Sequence, residues 1–207
     1  MSALALAGVR IAIGERTLVA NFNLAIGPGE WVTVMGPSGC GKSSLLAYVA
    51  GTLDPAFEGA GRVEVDGRDV APLPPHARRI GILFQDDLLF PHLSVGGNLA
   101  FALPAHVGER KQRIEAALAE ADLRGFAARD PATLSGGQRA RVALMRTLLA
   151  QPRALLLDEP FNKLDAQLRS DFRRFVFEHA AQRALPVLLV THDAADAPPG
   201  GRVIAIA

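Results

Sequence analysis

Cysteine is nearly missing from these 207 residues, and the single Cys40 excludes an intrachain disulfide or a metal cluster built on several thiols. A lone thiol suits a reducing compartment. A surplus of charge of one sign is missing too: 22 Lys and Arg face 21 Asp and Glu, for a formal net charge of +1. Nucleic-acid binders usually carry a basic excess, so no nucleic-acid partner is expected. No uncharged apolar run approaches the roughly 18–20 residues that a membrane-spanning helix needs. The longest apolar strings, such as Leu185 to Val190, fit buried strands. The opening residues, MSALALAGVRIAIGER, have no basic segment ahead of the apolar stretch and no convincing cleavage site, so a secretion signal is not expected. Internal repeats and low-complexity segments are absent.

What is present is a globular composition, 49% hydrophobic and 21% charged. The length suits one domain with a substantial core. Two β-like runs, Leu4–Ile13 and Thr17–Ile26, are separated by turn chemistry at Gly14-Glu15. Short strands are expected at Trp31–Met35, Arg62–Val65, Ile80–Phe84, Ala154–Leu157, Val187–Val190 and Arg202–Ile206, and Gly51 to Gly61 reads as loop. Helices are expected over Lys42–Ala50, Val95–Leu103, Arg110–Ala121, Gly136–Ala150 and Ala166–Arg183. Alternating strands and helices predict an α/β core with a mainly parallel sheet. The helix-rich stretch near 95–150 breaks the alternation and reads as an inserted helical subdomain, with bounds of about 87–150.

Three clusters carry chemistry. Gly36-Pro37-Ser38-Gly39-Cys40-Gly41-Lys42-Ser43 runs from a predicted strand into a predicted helix and matches the phosphate-binding loop pattern, with Ser44 next to it as a further candidate for nucleotide binding. Its glycines let backbone N–H groups turn toward phosphate oxygens, and the helix start adds a positive dipole end. Lys42 supplies charge to terminal phosphates, and the Ser43 hydroxyl suits Mg²⁺. Cys40, inside this loop, reads as a small packing residue. The second cluster, Leu155-Leu156-Leu157-Asp158-Glu159-Pro160, places two carboxylates at a strand end, where parallel sheets present ligand-facing residues. Asp158 suits the Mg²⁺ shell and Glu159 suits a general base. The third, Leu134-Ser135-Gly136-Gly137-Gln138, opens a helix with a hydroxyl and accessible N–H groups, a second anion site.

Together these residues resemble the nucleotide-binding domain of ABC transporters, and the resemblance covers almost the whole chain. It implies a RecA-like P-loop NTPase core, an antiparallel β subdomain and an inserted α-helical subdomain, all in one ABC ATPase domain over 1–207. It implies ATP and Mg²⁺ as ligands and a head-to-tail dimer with a second copy or a similar ATPase subunit. In that dimer Ser135, Gly136, Gly137 and Gln138 act on the nucleotide of the partner, while Lys42, Ser43, Asp158 and Glu159 act in their own subunit. Gln85 stands at the Q-loop position, where it contacts metal or water. His192, in Val190-Thr191-His192-Asp193, matches the switch histidine, and Asp165 matches the D-loop. Ile13 stands where the family usually has an aromatic residue for adenine to stack on, so weaker base discrimination is expected. The tetrapeptide Asn162-Lys163-Leu164-Asp165 matches the guanine-selecting sequence of small GTPases, but it follows the carboxylate pair directly and reads as coincidence. Arg139, Arg141 and Arg146 are expected to make structural ion pairs, and His76, His92, His106 and His179 to be surface or packing residues.

The segment from Gln85 to Val95, with Leu88, Leu89, Phe90 and Leu93, resembles the bacterial importer subgroup of the family, and the run as a whole is similar to YnjD-like members. That implies solute import, a permease contacted near Gln85–Val95, a solute-binding protein in the assembled system, and a peripheral place on the cytoplasmic face of the bacterial inner membrane. No regulatory β-domain is expected after the final strand. The alternative is a soluble ABC ATPase of nucleic-acid repair or translation, but those usually carry two cassettes or a long coiled coil. A P-loop nucleotide kinase would leave Ser135–Gln138 without a role.

Overall fold

The computed structural model describes residues 3–206. Among them the chain forms two compact units, the first from residues 3–82, 153–159 and 177–206, the second from residues 83–152 and 160–176.

The first unit holds two sheets. Strands β1 (Leu4–Ile13), β2 (Arg16–Ile26), β4 (Glu58–Val65) and β5 (Arg68–Asp69) form an antiparallel sheet in the order β2-β1-β4-β5. The second sheet has the order β6-β7-β8-β3-β9, from β3 (Trp31–Met35), β6 (Ile80–Leu83), β7 (Ala154–Asp158), β8 (Val187–Thr191) and β9 (Arg202–Ala205). Its pairings β7–β8, β8–β3 and β3–β9 are parallel. Buried on both faces, β7 and β8 consist almost wholly of Leu and Val, as parallel strands do. Helix α1 (Lys42–Ala50) packs Leu45, Leu46 and Val49 into a core shared with Ile11, Ile26, Val34, Leu156 and Leu188. The four-residue α2 (Pro75–Arg78) precedes β6.

β4 starts at Glu58, inside the segment expected to be loop. After Glu58 come Gly59, Ala60 and Gly61, which offer no apolar alternation to read. Gly59 has no room for a side chain: a Cβ there would lie 2.7 Å from Cε2 of Tyr48.

The second unit is helical: α3 (Val95–Ala102), α4 (Arg110–Glu120), α5 (Gly136–Leu149) and the first part of α6 (Ala166–Gln182), which ends in the first unit. Helices α3, α4 and α5 pack on one another, and Val95, Leu99, Leu118, Val142 and Met145 on them are buried. The stretch 87–150 lies within this unit. Arg139 pairs with Asp87 at 2.8 Å and Arg141 with Asp122 at 2.8 Å. Arg146 differs from its expected ion pair: its guanidinium donates to the carbonyl of Leu88 at 2.9 Å and lies 5.2 Å from the centre of the Phe90 ring. His179 is buried, with Nδ1 3.1 Å from Nη1 of Arg183.

Candidate active site

The site in the first unit begins where β3 turns into α1. Gly41 caps the helix at φ 97°, a conformation that β-carbon-bearing residues avoid. A Cβ on Gly36 would run into the carbonyl oxygen of Ile206 and the sulfur of buried Cys40. The start of α1 has no side-chain cap and no acidic residue in its first turn. Its N–H groups are therefore left for an anion, and the helix dipole favours one.

Lys42 is 5% exposed, and its ammonium donates to the carbonyls of Gly36 at 2.8 Å and Pro37 at 2.9 Å. These bonds compensate the burial of the charge. The same ammonium lies 4.0 Å from Oε1 of Glu159. Ser43 Oγ donates to Oδ1 of Asp158 at 2.9 Å, joining the helix start to the end of β7 across 115 residues of sequence. Burial pushes the Asp158 carboxyl above its ordinary pKa and the Glu159 charge adds to this, while the Ser43 hydrogen bond and Lys42 oppose it.

Glu159 sits just past β7 in the left-handed region, φ 46°, which a non-glycine residue adopts at a cost of about 1–3 kcal/mol. The N–H of Glu159 donates to the carbonyl of Val190 at 3.0 Å, tying the turn to β8. Oε2 of Glu159 lies 3.2 Å from Nδ1 of His192. Thus Lys42, Ser43, Asp158, Glu159 and His192, from three parts of the sequence, meet at the carboxyl ends of β3, β7 and β8. Ile13 ends β1 and is 39% exposed.

The other expected site residues belong to the second unit. Ser135 and Gln138 form a reciprocal capping box at the start of α5: Ser135 Oγ accepts from the N–H of Gln138 at 3.3 Å, and Gln138 Oε1 accepts from the N–H of Ser135 at 2.9 Å. The cap uses an acceptor site of the hydroxyl and leaves its O–H free to donate. Gln85 is exposed and, with Asp86, Asp87, Gly136, Arg139 and Lys163, lines a cavity of about 260 Å³. Lys163 pairs with Asp86, and Asp165 Oδ1 accepts from the N–H of Leu168 at 3.0 Å, so these two members of the guanine-like tetrapeptide have structural partners.

Arg78 and Asp196 are among the buried polar groups that the sequence did not mark. Arg78 donates to the carbonyls of Tyr48 at 2.7 Å and Val49 at 3.0 Å in the last turn of α1, and to Leu73 and Ala71. Burial lowers its pKa from the usual arginine value. It caps the end of the helix that starts at Lys42. Asp196, fully buried, accepts from the hydroxyl of Thr191 at 2.8 Å. Neither residue stands in a spacing that marks it beforehand.

A strand, a glycine loop and an uncapped helix start, with a lysine, a serine and a carboxylate pair gathered round them, define a P-loop nucleoside-triphosphatase. Residues 19–162 match the family described as ABC transporter, and the chain belongs to that family, whose ATP-binding subunits hydrolyse ATP to power transport. It is 48% identical over 201 residues to an uncharacterized ABC transporter ATP-binding protein, YnjD, of Escherichia coli (strain K12), covering 96% of this chain and 93% of that one. It is 42% identical over 198 residues to the spermidine/putrescine import ATP-binding protein PotA of Nitrosomonas eutropha, covering 93% of this chain and 53% of that one. It is 43% identical over 187 residues to the Fe(3+) ions import ATP-binding protein FbpC of Escherichia coli O157:H7, covering 89% of this chain and 53% of that one. The chain thus spans nearly the whole of the first relative and about half the length of the two import proteins. No helix among the described residues is long and apolar enough to cross a membrane.

Proposed function

We propose that the chain powers solute import by closing on ATP as a dimer, with its nucleotide sites shared between two copies, and by hydrolysing that ATP with Glu159 as general base. The observation that carries this is the convergence of Lys42, Ser43, Asp158, Glu159 and His192 on the uncapped start of α1. The N–H groups of the loop bind the phosphates, and Lys42 offsets their charge. Glu159 takes the proton of the attacking water. His192, bonded to the same carboxylate, orients it and stabilises charge on the γ-phosphate. The strained φ of Glu159, held by the bond to Val190, is the kind of backbone cost that pre-organises a reacting group.

Mg²⁺ fits the donors here. Ser43 Oγ and Asp158 Oδ1 are hard oxygens already 2.9 Å apart, and one carboxylate with a hydroxyl leaves positions for phosphate and water. Among the described residues no group of three or more His, Cys, Asp or Glu forms an all-protein cage, in keeping with a metal that arrives with its nucleotide. Bound there, Mg²⁺ neutralises phosphate charge.

The dimer is supported by the start of α5, where Ser135 keeps a free hydroxyl proton and a Cβ on Gly136 would meet nothing closer than 3.9 Å. That surface suits the γ-phosphate of ATP held by a second copy. A permease contact near Gln85–Val95 is supported by exposed apolar side chains of the second unit: Phe84 at 37%, Leu88 at 55% and Phe101 at 70%, the last stacked edge-on against Phe90. An amphipathic helix of a membrane partner would cover such apolar side chains, and that partner would hold the chain at the membrane surface. The names of PotA and FbpC support import as the direction. Glu159→Gln tests the core of the proposal. It is expected to bind ATP normally, lose hydrolysis and accumulate as an ATP-bound dimer by size-exclusion chromatography; unchanged turnover would remove Glu159 from the role of base.

A further inference from the structure

We infer that Asp196 is a positioning residue for the His192–Glu159 pair, acting through the hydroxyl of Thr191. The inference rests on the role proposed above for His192.

Asp196 and Thr191 are both fully buried, in contrast to His192, whose side chain is 55% exposed. A buried carboxylate is costly unless it is hydrogen-bonded. Here it accepts from Thr191 Oγ1 at 2.8 Å. The same Thr191 oxygen accepts from the N–H of Asp193 at 3.1 Å. Thr191 therefore uses its donor on Asp196 and an acceptor on the residue after His192, so the hydroxyl is oriented rather than free to rotate. Asp193 closes the turn from the other side, with Oδ1 accepting from the N–H of Ala195 at 2.9 Å at the start of the 3₁₀ turn Ala194–Asp196.

The effect is to clamp the backbone on both sides of one residue. Thr191 is the last residue of β8, and its predecessor Val190 accepts the N–H of Glu159 at 3.0 Å. His192 is thus held between an anchored strand end and an anchored turn, and the same strand end holds the strained backbone of Glu159. The contact of 3.2 Å between Nδ1 of His192 and Oε2 of Glu159 joins the two side chains that this frame supports. An exposed ring on an unclamped turn would sample many positions, and misplacement of a catalytic group by about 1 Å can cost about 100-fold in rate. Asp196 touches neither phosphate nor water in this scheme; its work is to fix where the ring stands.

The test measures steady-state ATP hydrolysis and MgATP binding by the whole chain. Asp196→Ala is expected to lower kcat roughly 10- to 100-fold while the dissociation constant for MgATP changes by less than about twofold, since the phosphate loop is untouched. Asp196→Asn keeps an oxygen to accept from Thr191 and is expected to recover most of the rate. Thr191→Val cuts the same bond from its other end and is expected to reproduce the loss, which keeps the test open should Asp196→Ala not fold. In a His192→Ala background, Asp196→Ala is expected to cost far less than it does in the unaltered chain. Wild-type kcat in both Asp196→Ala and Thr191→Val, no recovery in Asp196→Asn, or losses that multiply with His192→Ala would each overturn the inference. His192→Ala with wild-type turnover would instead overturn the proposed role of His192 itself, and a slow His192→Ala beside fast Asp196→Ala and Thr191→Val would overturn only the inference made here.

Discussion

Ser43 and Asp158 are joined by a hydrogen bond of 2.9 Å between the first turn of α1 and the last residue of β7. The pair holds an ionised carboxylate in a partly buried place that raises its pKa, chiefly by desolvation. A group whose native pKa exceeds its unfolded value takes up a proton in the folded chain first as pH falls. Its contribution to stability is therefore fully present below the ordinary carboxylate range and lost as pH rises through the native value. At neutral pH the Asp158 charge costs stability in the nucleotide-free protein. Asp158→Asn is expected to raise the melting temperature at pH 7, with the advantage shrinking as pH falls through the carboxylate range. It is also expected to weaken the further stabilisation by MgATP. Thermal unfolding at several pH values, with and without MgATP, checks both; a lower melting temperature at pH 7 would contradict the first.

The loop ahead of that pair depends on Gly41. Its φ of 97° is strained for any other L-residue, and a Cβ would lie 3.0 Å from Cβ of Leu18 and 3.2 Å from Cγ2 of Val19. Gly41→Ala is expected to cost about 1–3 kcal/mol, a drop of several degrees in melting temperature at roughly 2–4 °C per kcal/mol for a chain of this size. ATP affinity should fall with it, because the N–H groups that face the anion move with the backbone. Urea unfolding and ATP titration of the same variant measure the two effects.

The expected helix Lys42–Ala50 and strands Leu4–Ile13 and Trp31–Met35 have the bounds observed, because glycine-rich breaks and short apolar runs are local signals. The side chains gathered around Lys42 and Asp158 were legible as candidates for a related reason: phosphate and metal chemistry would demand particular residues at fixed spacing. What was hidden depends on neighbours distant in sequence. Gly59 and Gly61 of β4 read as loop because glycine shows no alternation, while their fit against Tyr48 and Val9 is a tertiary fact. Arg78 meets carbonyls 29 and 30 positions away, and nothing in Arg78-Arg79 says which of the two turns inward. The left-handed backbone of Glu159 could not be read from a carboxylate followed by proline.

Ile13 ends β1 in register with Arg16 and is 39% exposed. If it stands where a base packs, it offers aliphatic contact without aromatic stacking. ATP and GTP are expected to bind with affinities within a few-fold of each other. Ile13→Tyr is expected to tighten ATP binding by about 0.5–1.5 kcal/mol, or roughly two- to twelvefold. Competition titrations on both proteins measure this, and a strong ATP preference in the unaltered chain would remove Ile13 from the base site.

Ser135 offers the sharpest test of nucleotide sites shared between two copies. Its hydroxyl oxygen already accepts the N–H of Gln138, and only its proton remains to reach a phosphate. Ser135→Arg removes the hydroxyl and sets a bulky cation at the start of α5, where the helix dipole disfavours positive charge. The phosphate loop of the same copy belongs to the other unit and is unaltered, so ATP binding by the monomer is expected to persist. Hydrolysis is expected to be lost, because neither site of a dimer of variants can be completed. Mixing settles whether the defect acts across copies. A Ser135→Arg copy has an intact loop, carboxylates and His192, and a Lys42→Ala copy has an intact start of α5. In a mixed dimer, the Ser135→Arg copy's own nucleotide faces the unaltered α5 of its Lys42→Ala partner. One working site is therefore expected, and with it hydrolysis that neither variant gives alone. Two inactive variants that stay inactive when mixed, although cross-linking shows that they pair, would contradict sharing; so would a Ser135→Arg protein that hydrolyses ATP at the unaltered rate.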